Sequence, residues 1–103
     1  MKAVFVGEDK GDVREIELDI APRKNEIFNL LGGPGTFIGQ WPDTNVVIMK
    51  CRLDTGRPNE NTLAEPFHEE EILGPVLMIR MDQDAEHQDF TLAESTLLHL
   101  VQR

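Results

Sequence analysis

The longest apolar run in this chain, Gly74-Pro75-Val76-Leu77-Met78-Ile79, lies between two stretches crowded with acid. A short continuous apolar run opened by Gly and Pro reads as a strand buried on both faces, so Pro75–Met81 is expected at the centre of a sheet. Glu69-Glu70-Glu71 precedes it, and Asp82, Asp84, Glu86 and Asp89 follow. Residues 60–103 carry ten Asp/Glu against only Arg80 and Arg103, a net of −8, while residues 1–59 carry nine against eight Lys/Arg, a net of −1. Nearly all of the formal charge of −9 therefore surrounds one buried strand, either as a recognition face or as a solubility shell.

The same balance limits the partners. A net acidic chain repels the phosphate backbone, so direct nucleic-acid binding is not expected and basic protein patches are the favoured counterpart. No window reaches the roughly 18 apolar residues that a membrane helix needs, and Met1–Gly7 is apolar for too few residues to serve as a signal peptide. Cys51 is the single cysteine, which excludes an intramolecular disulfide and favours a reducing, intracellular compartment. A chain of 103 residues suits one domain, 1–103, with a modest core.

Local patterns supply the elements. Lys2–Val6 is a β-branched and aromatic strand, and Glu8-Asp9-Lys10-Gly11-Asp12 is a turn cluster. Val13–Ile20 alternates, with Ile16, Leu18 and Ile20 on one face and Glu15, Glu17 and Asp19 on the other, so the two segments form an N-terminal hairpin. Pro22–Leu31 reads as a helix: Pro suits its first turn, Ile27, Leu30 and Leu31 share a stripe, and Gly32 is placed to end it. Thr36–Trp41 and Val46–Cys51 form a second hairpin around the turn Pro42-Asp43-Thr44-Asn45. Asp54–Pro66 is a long loop of the kind that tends to carry function in a small domain. His68–Leu73 suggests one helical turn and Asp82–Asp89 an acidic loop. Thr91–Val101 is a last helix, with a capping box at Thr91 and Glu94 and an apolar face of Leu92, Leu97, Leu98 and Val101. Together they predict an α+β fold, a mainly antiparallel sheet of about five strands with two helices packed on one face.

From Glu26 onward the order of these features is distinctive. A helix ends in Gly32-Gly33, and a hairpin with an aromatic first strand follows. Then come a Pro58-Asn59 loop, Pro66-Phe67 with acids behind it, Gly74-Pro75 before an apolar strand, and Asp89-Phe90-Thr91-Leu92 opening a helix. This order resembles the domain-of-unknown-function family 3846, small proteins of phages, mobile elements and algal viruses. The resemblance implies a small α+β domain of viral or mobile-element origin, at work in the host cytoplasm, and brings no catalytic residues.

No motif for chemistry is complete. Gly32-Gly33-Pro34-Gly35 follows a helix rather than a strand and lacks the Lys of a phosphate-binding loop, so it reads as a helix stop. Asp82-Gln83-Asp84-Ala85-Glu86 has the alternating acids of a calcium loop, but His87 stands where the sixth-position Gly belongs and Ala93 where the twelfth-position Glu belongs. His68, His87 and His99 are not spaced for zinc. Cys51 has no base beside it in sequence, and Ser95 lacks a nucleophile-elbow setting. No catalytic residue, metal site or cofactor is therefore expected.

The expected function is protein–protein contact by a small acidic accessory protein, one form being an acidic decoy for a basic host site. The candidate contacts are Trp41, Asn59, Glu69, Glu70, Glu71, Asp82, Asp84, Glu86 and Asp89. Trp41 is set against a core-packing reading, since large aromatics of small domains are mostly buried. The alternative is a small-molecule-binding protein or enzyme with a pocket between the sheet and the 54–66 loop, lined by Cys51, His68 or His87. Pairing of an edge strand with its copy in a homodimer is a third expectation.

Overall fold

In the computed structural model the chain forms strands β1 (Lys2–Val6), β2 (Val13–Glu17), β3 (Gly35–Trp41), β4 (Val46–Cys51), β5 (Thr62–Leu63), β6 (Val76–Met81), β7 (His87–Gln88) and β8 (Val101–Gln102). Two short helices, α1 (Glu26–Leu31) and α2 (Leu92–Leu97), accompany them. The structure describes all residues except 42, 43, 54, 55, 83, 85 and 103, and all side chains among them except that of Pro22. The main sheet has the order β2-β1-β6-β4-β3, with β7 adding to β6, and β5 pairs with β8 in a separate ribbon. Every described pair is antiparallel. The α+β class and the antiparallel sheet agree with the sequence, and the apolar run is indeed the central strand.

Alternation along each strand feeds two cores, one on each face. Val4, Val6, Val46, Ile48, Val76 and Met78 point to the first, where Trp41, Leu63, Ile72, Phe90 and Leu100 close over them. Ala3, Phe5, Met49, Cys51, Leu77 and Ile79 point to the second, where Leu18 and Leu31 join them. Most of these side chains are essentially sealed, and each large one contributes about 1.5–3 kcal/mol by leaving water.

The helices divide between the faces instead of sharing one. Ile27, Leu30 and Leu31 of α1 pack on the second core, while Leu92 of α2 packs on the first. The reason is the double-sided apolar character of β1 and β6, which leaves each face in need of a cover.

Several boundaries shift. The helix expected over Pro22–Leu31 is a single 3-10 turn, Pro22–Lys24, followed by α1, because Asn25 adopts a left-handed conformation (φ 52°, ψ 31°) that no continuous helix accepts. Gly32 ends α1 as expected, at φ 77°, with its N–H donating to the Phe28 carbonyl at 2.9 Å. β2 stops at Glu17, so Leu18 is buried but Ile20 is 41% exposed. The last helix stops at Leu97, and the chain reverses through His99 (φ 53°) into β8. Its buried positions are Leu100, beyond the helix, and Ser95, while Leu97 is 78% exposed and Leu98 43% exposed. Thr91 caps it as expected, its hydroxyl oxygen accepting from the Glu94 N–H at 3.2 Å. At His68–Leu73 there is a turn closed by Glu70 N–H on the Phe67 carbonyl, not a helical turn. Half of the predicted turn between β3 and β4, Pro42 and Asp43, lies outside the described residues.

The long loop is clasped rather than free. Asn61 Nδ2 donates to the carbonyls of Gly7 and Asp9, both at 2.9 Å, and its Oδ1 accepts from the Gly11 N–H at 2.9 Å. That one amide ties the loop to the β1–β2 turn. Asp54 and Thr55, at the start of the predicted loop, lie outside the described residues.

Candidate binding surfaces

The sequence-predicted contact residues fall into three groups. Trp41 is a core residue, 4% exposed, with Nε1 donating to the carbonyls of Ala64 (3.3 Å) and Glu65 (3.1 Å) and its ring edge-on to Phe67 at 5.4 Å. It offers no ring to a partner. The cause is a bulge between Phe37 and Gly39, which inserts one residue and reverses the alternation. Phe37 and Trp41, four residues apart, thereby leave β3 on opposite faces: Phe37 opposes Met49 of the second core, and Trp41 opposes Val46 of the first.

Asn59, Asp82 and Asp89 are builders of local structure. Asn59 Nδ2 donates to the Gly74 carbonyl and its Oδ1 accepts from Asn61 N–H, each at 2.9 Å. Asp82 Oδ1 accepts from the N–H groups of Asp84 and Glu86, both at 2.9 Å, and Oδ2 accepts from Gln88 Nε2 at 3.0 Å. The Glu86 amide, with that of Asp84 and the Gln88 side chain, holds the Asp82 carboxyl below the usual carboxylate range against a smaller opposing effect of burial. Asp82 thus braces the start of the β7 segment with these bonds, and it shapes the β6–β7 hairpin. Asp89 Oδ1 accepts from Lys2 N–H at 2.8 Å and fixes β7 in line with β1.

Glu69, Glu70, Glu71, Asp84 and Glu86 remain as exposed carboxylates. Among the described residues no hydrogen bond or ion pair joins Glu69–Glu71 to the 82–89 segment. The acids on the β6–β7 hairpin lie on the β1 side of the central strand. Glu69 and Glu70 belong to the turn after Phe67, and a Cβ on Gly39 of β3 would run into the Phe67 ring. The two acidic segments therefore belong to different flanks, and the glutamates follow Phe67, the residue whose ring packs at Gly39 of β3.

β3 is an outer strand, paired among the described residues only with β4. Its sequence, Gly-Thr-Phe-Ile-Gly-Gln-Trp, has no charged residue. The opposite edge, β2, reads Val-Arg-Glu-Ile-Glu, and charge of that kind discourages strand addition. Three apolar residues outside the predicted contact set stay in water: Phe37 of β3 is 54% exposed, Phe28 of α1 51% and Leu53, after β4, 49%. Gly33 brings α1 close to this margin, since a Cβ there would meet Cys51 Sγ and lie 3.8 Å from Leu53 Cδ1. The available signal was the absence of charge in β3 together with the left-over Phe28, which fits no apolar stripe of α1.

Of the residues expected to line a pocket between the sheet and the 54–66 loop, Cys51, His68 and His87 stand apart from the deeper hollow, which is lined by Asn61 of that loop and Val13 of β2. Cys51 is 1% exposed in the second core. His68 faces Glu69 at 3.8 Å on the surface. His87 borders an open depression with Met1, Glu17, Leu18 and Glu26. A deeper cavity lies between the β1–β2 turn and α2. Among the described residues no group of three or more His, Cys, Asp or Glu is placed to hold a metal ion, and no helix is long and apolar enough to cross a membrane.

Comparison with curated proteins and with solved structures returns no match to this chain. A family model does match, over residues 4–97, and it is not the family that the Gly32–Leu92 features resemble. Those features are helix stops, turns and caps, which unrelated α+β domains share for the same backbone reasons, and the viral or mobile-element origin drawn from them loses its ground. The match spans both sheet edges, α1 and all of α2, and the chain belongs to the family of unknown function DUF5880.

Proposed function

We propose that this chain is a non-enzymatic interaction domain that receives an extended segment of a partner protein along the outer edge of β3. The observation that carries the reading is an uncharged edge strand that itself bears a half-exposed ring, Phe37, next to α1 with its half-exposed Phe28. An added strand would gain backbone hydrogen bonds from β3, and its alternate side chains would cover the Phe37 ring. Glu69 and Glu70 follow Phe67, whose ring packs at Gly39 of the same strand, so a segment that mixes apolar with Lys or Arg residues fits best. A second copy of the chain fits less well, because two chains each carrying −9 repel. The lone thiol of Cys51, buried and unpaired, suits work in a reducing compartment.

This reading is narrower than a phosphate-mimicking decoy. Such mimicry needs carboxylates arrayed on one face, whereas Asp82 and Asp89 are engaged in backbone bonds and the exposed acids occupy separate flanks.

Selection from a displayed library of random peptides tests the proposal. The expected result is enrichment of extended segments that alternate apolar residues with Lys or Arg, lost on Phe37→Ser and weakened by Glu69→Lys with Glu70→Lys. Retention of the same peptides by all of these variants would overturn it. Sedimentation at several concentrations addresses self-pairing: a monomer is expected, and a dimer abolished by Phe37→Ser would make the second copy the occupant.

A further inference from the structure

The cavity between the β1–β2 turn and α2 encloses about 760 Å³, within the usual range for small-molecule sites. Leu92 and Val101 give it apolar wall, and Lys10, Ser95, Thr96 and His99 give it polar wall. The chain is rich in Asp and Glu, yet none of those described lines this cavity. Glu60 comes near, accepting the Lys10 N–H at 3.1 Å, but does not reach the lining. No described carboxylate pairs with the Lys10 ammonium.

Ser95 is the decisive residue. It is the one polar residue among the buried ones described, 3% exposed, and it sits on the inward side of α2 where an apolar side chain is the ordinary choice. Its hydroxyl has no hydrogen-bond partner among the described residues, whereas the neighbouring Thr96 hydroxyl donates to the Leu92 carbonyl at 3.0 Å. No buried side-chain oxygen or nitrogen described is both sealed and unpaired. The Ser95 hydroxyl therefore keeps its small access, and the opening beside it is the cavity that Ser95 lines. Open to the cavity, that hydroxyl is free to bond a ligand atom in place of water.

We propose that this cavity binds a small organic anion, a carboxylate or phosphate on a short apolar body, with the Ser95 hydroxyl and the Lys10 ammonium holding the charged end. Leu92 and Val101 cover the apolar body, and Thr96 and His99 border the charged end. The turn that carries Lys10 is already fixed by the three hydrogen bonds of Asn61, so little ordering is needed on binding. The site is separate from the β3 edge and does not depend on it.

Amide NMR of the whole chain, titrated with hexanoate, inorganic phosphate and neutral hexanol, provides the test. Saturable shifts at Gly11, Ser95, Thr96 and His99 are expected with hexanoate, and hexanol should bind about tenfold more weakly, as loss of a charge-assisted hydrogen bond implies. Ser95→Ala and Lys10→Gln should each raise the hexanoate dissociation constant by about the same factor while the rest of the spectrum stays in place. Saturable phosphate binding at the same amides, tighter than that of hexanoate, would identify the charged end as a phosphate, and the reverse order as a carboxylate. Equal binding of hexanol and hexanoate, shifts that survive both substitutions, or no shift with either anion would each overturn the proposal.

Discussion

The two faces of the sheet are finished in different ways. The face of Trp41, Ile48, Met78 and Phe90 is roofed by α2, the β5–β8 ribbon and a loop tied down by Asn59 and Asn61. The opposite face has only α1, six residues long, as its helical cover. Four of the six large apolar residues that stay exposed, Ile20, Phe28, Phe37 and Leu53, lie on the strand ends and helix around that second face. A small domain can seal one face with its own chain and leave the margin of the other unfinished. The unfinished margin is where an uncharged strand edge also lies, and apolar exposure beside an unpaired edge is the usual mark of a contact site.

This contrast can be broken by mutation. On the sealed face, Phe90→Ala removes a side chain that is 0% exposed and packs under the Arg80 guanidinium, and should cost about 3–5 kcal/mol in chemical denaturation. Gly39→Ala places a methyl group against the Phe67 ring, and the overpacking should cost about 1–3 kcal/mol. Asn61→Ala frees the loop from the β1–β2 turn and leaves three backbone groups without their partner. Because these bonds are partly exposed, a loss of about 1–2 kcal/mol is expected, with faster amide exchange at Gly11. On the open face, Phe37→Ser should cost no more than about 1 kcal/mol, since about half of the residue is in water, while removing peptide binding. A cost as large as that of Phe90→Ala would mean that the open face is as structural as the sealed one.

The smallest effect concerns acid. The Arg80 guanidinium, 2.6 Å from Glu94, holds the Glu94 carboxyl below the usual range. Backbone amides do the same for Asp82. A carboxyl whose folded value is depressed contributes stability above its unfolded value and loses it as pH falls through the folded one. Stability should therefore decline below about pH 4.5. Arg80→Ala should flatten part of that decline, by less than about 1 kcal/mol because the Glu94 side chain is 38% exposed. Unaltered acid unfolding in Arg80→Ala would assign the pH dependence elsewhere.

Much of the fold was legible because its signals are local. The apolar run at Val76–Ile79, the alternation at Val13–Leu18, the Gly32 stop and the Thr91 cap each act over a few residues. What was not legible depends on distant partners. Nothing near Asn25 in sequence announces its left-handed turn, and the bulge that separates Phe37 from Trp41 is a property of the β3–β4 register. α2 ends early because Val101 pairs with Leu63, a contact spanning most of the second half of the chain. The candidate site suffered for the same reason. Charge drew attention to Asp82 and Asp89, which are bonded to backbone, while the exposed ring of Phe37 and the unpartnered hydroxyl of Ser95 emerge only once the sheet is assembled.

The account rests on β3 as the edge that receives a partner. Residue-resolved amide hydrogen exchange, with and without a peptide selected on the wild-type chain, tests that claim most directly. The account predicts new protection confined to the amides of β3 from Gly35 to Trp41, with β2 and α2 unchanged. Protection that appears instead along β2 or α2, or peptide binding that leaves every β3 amide as it was, would contradict it.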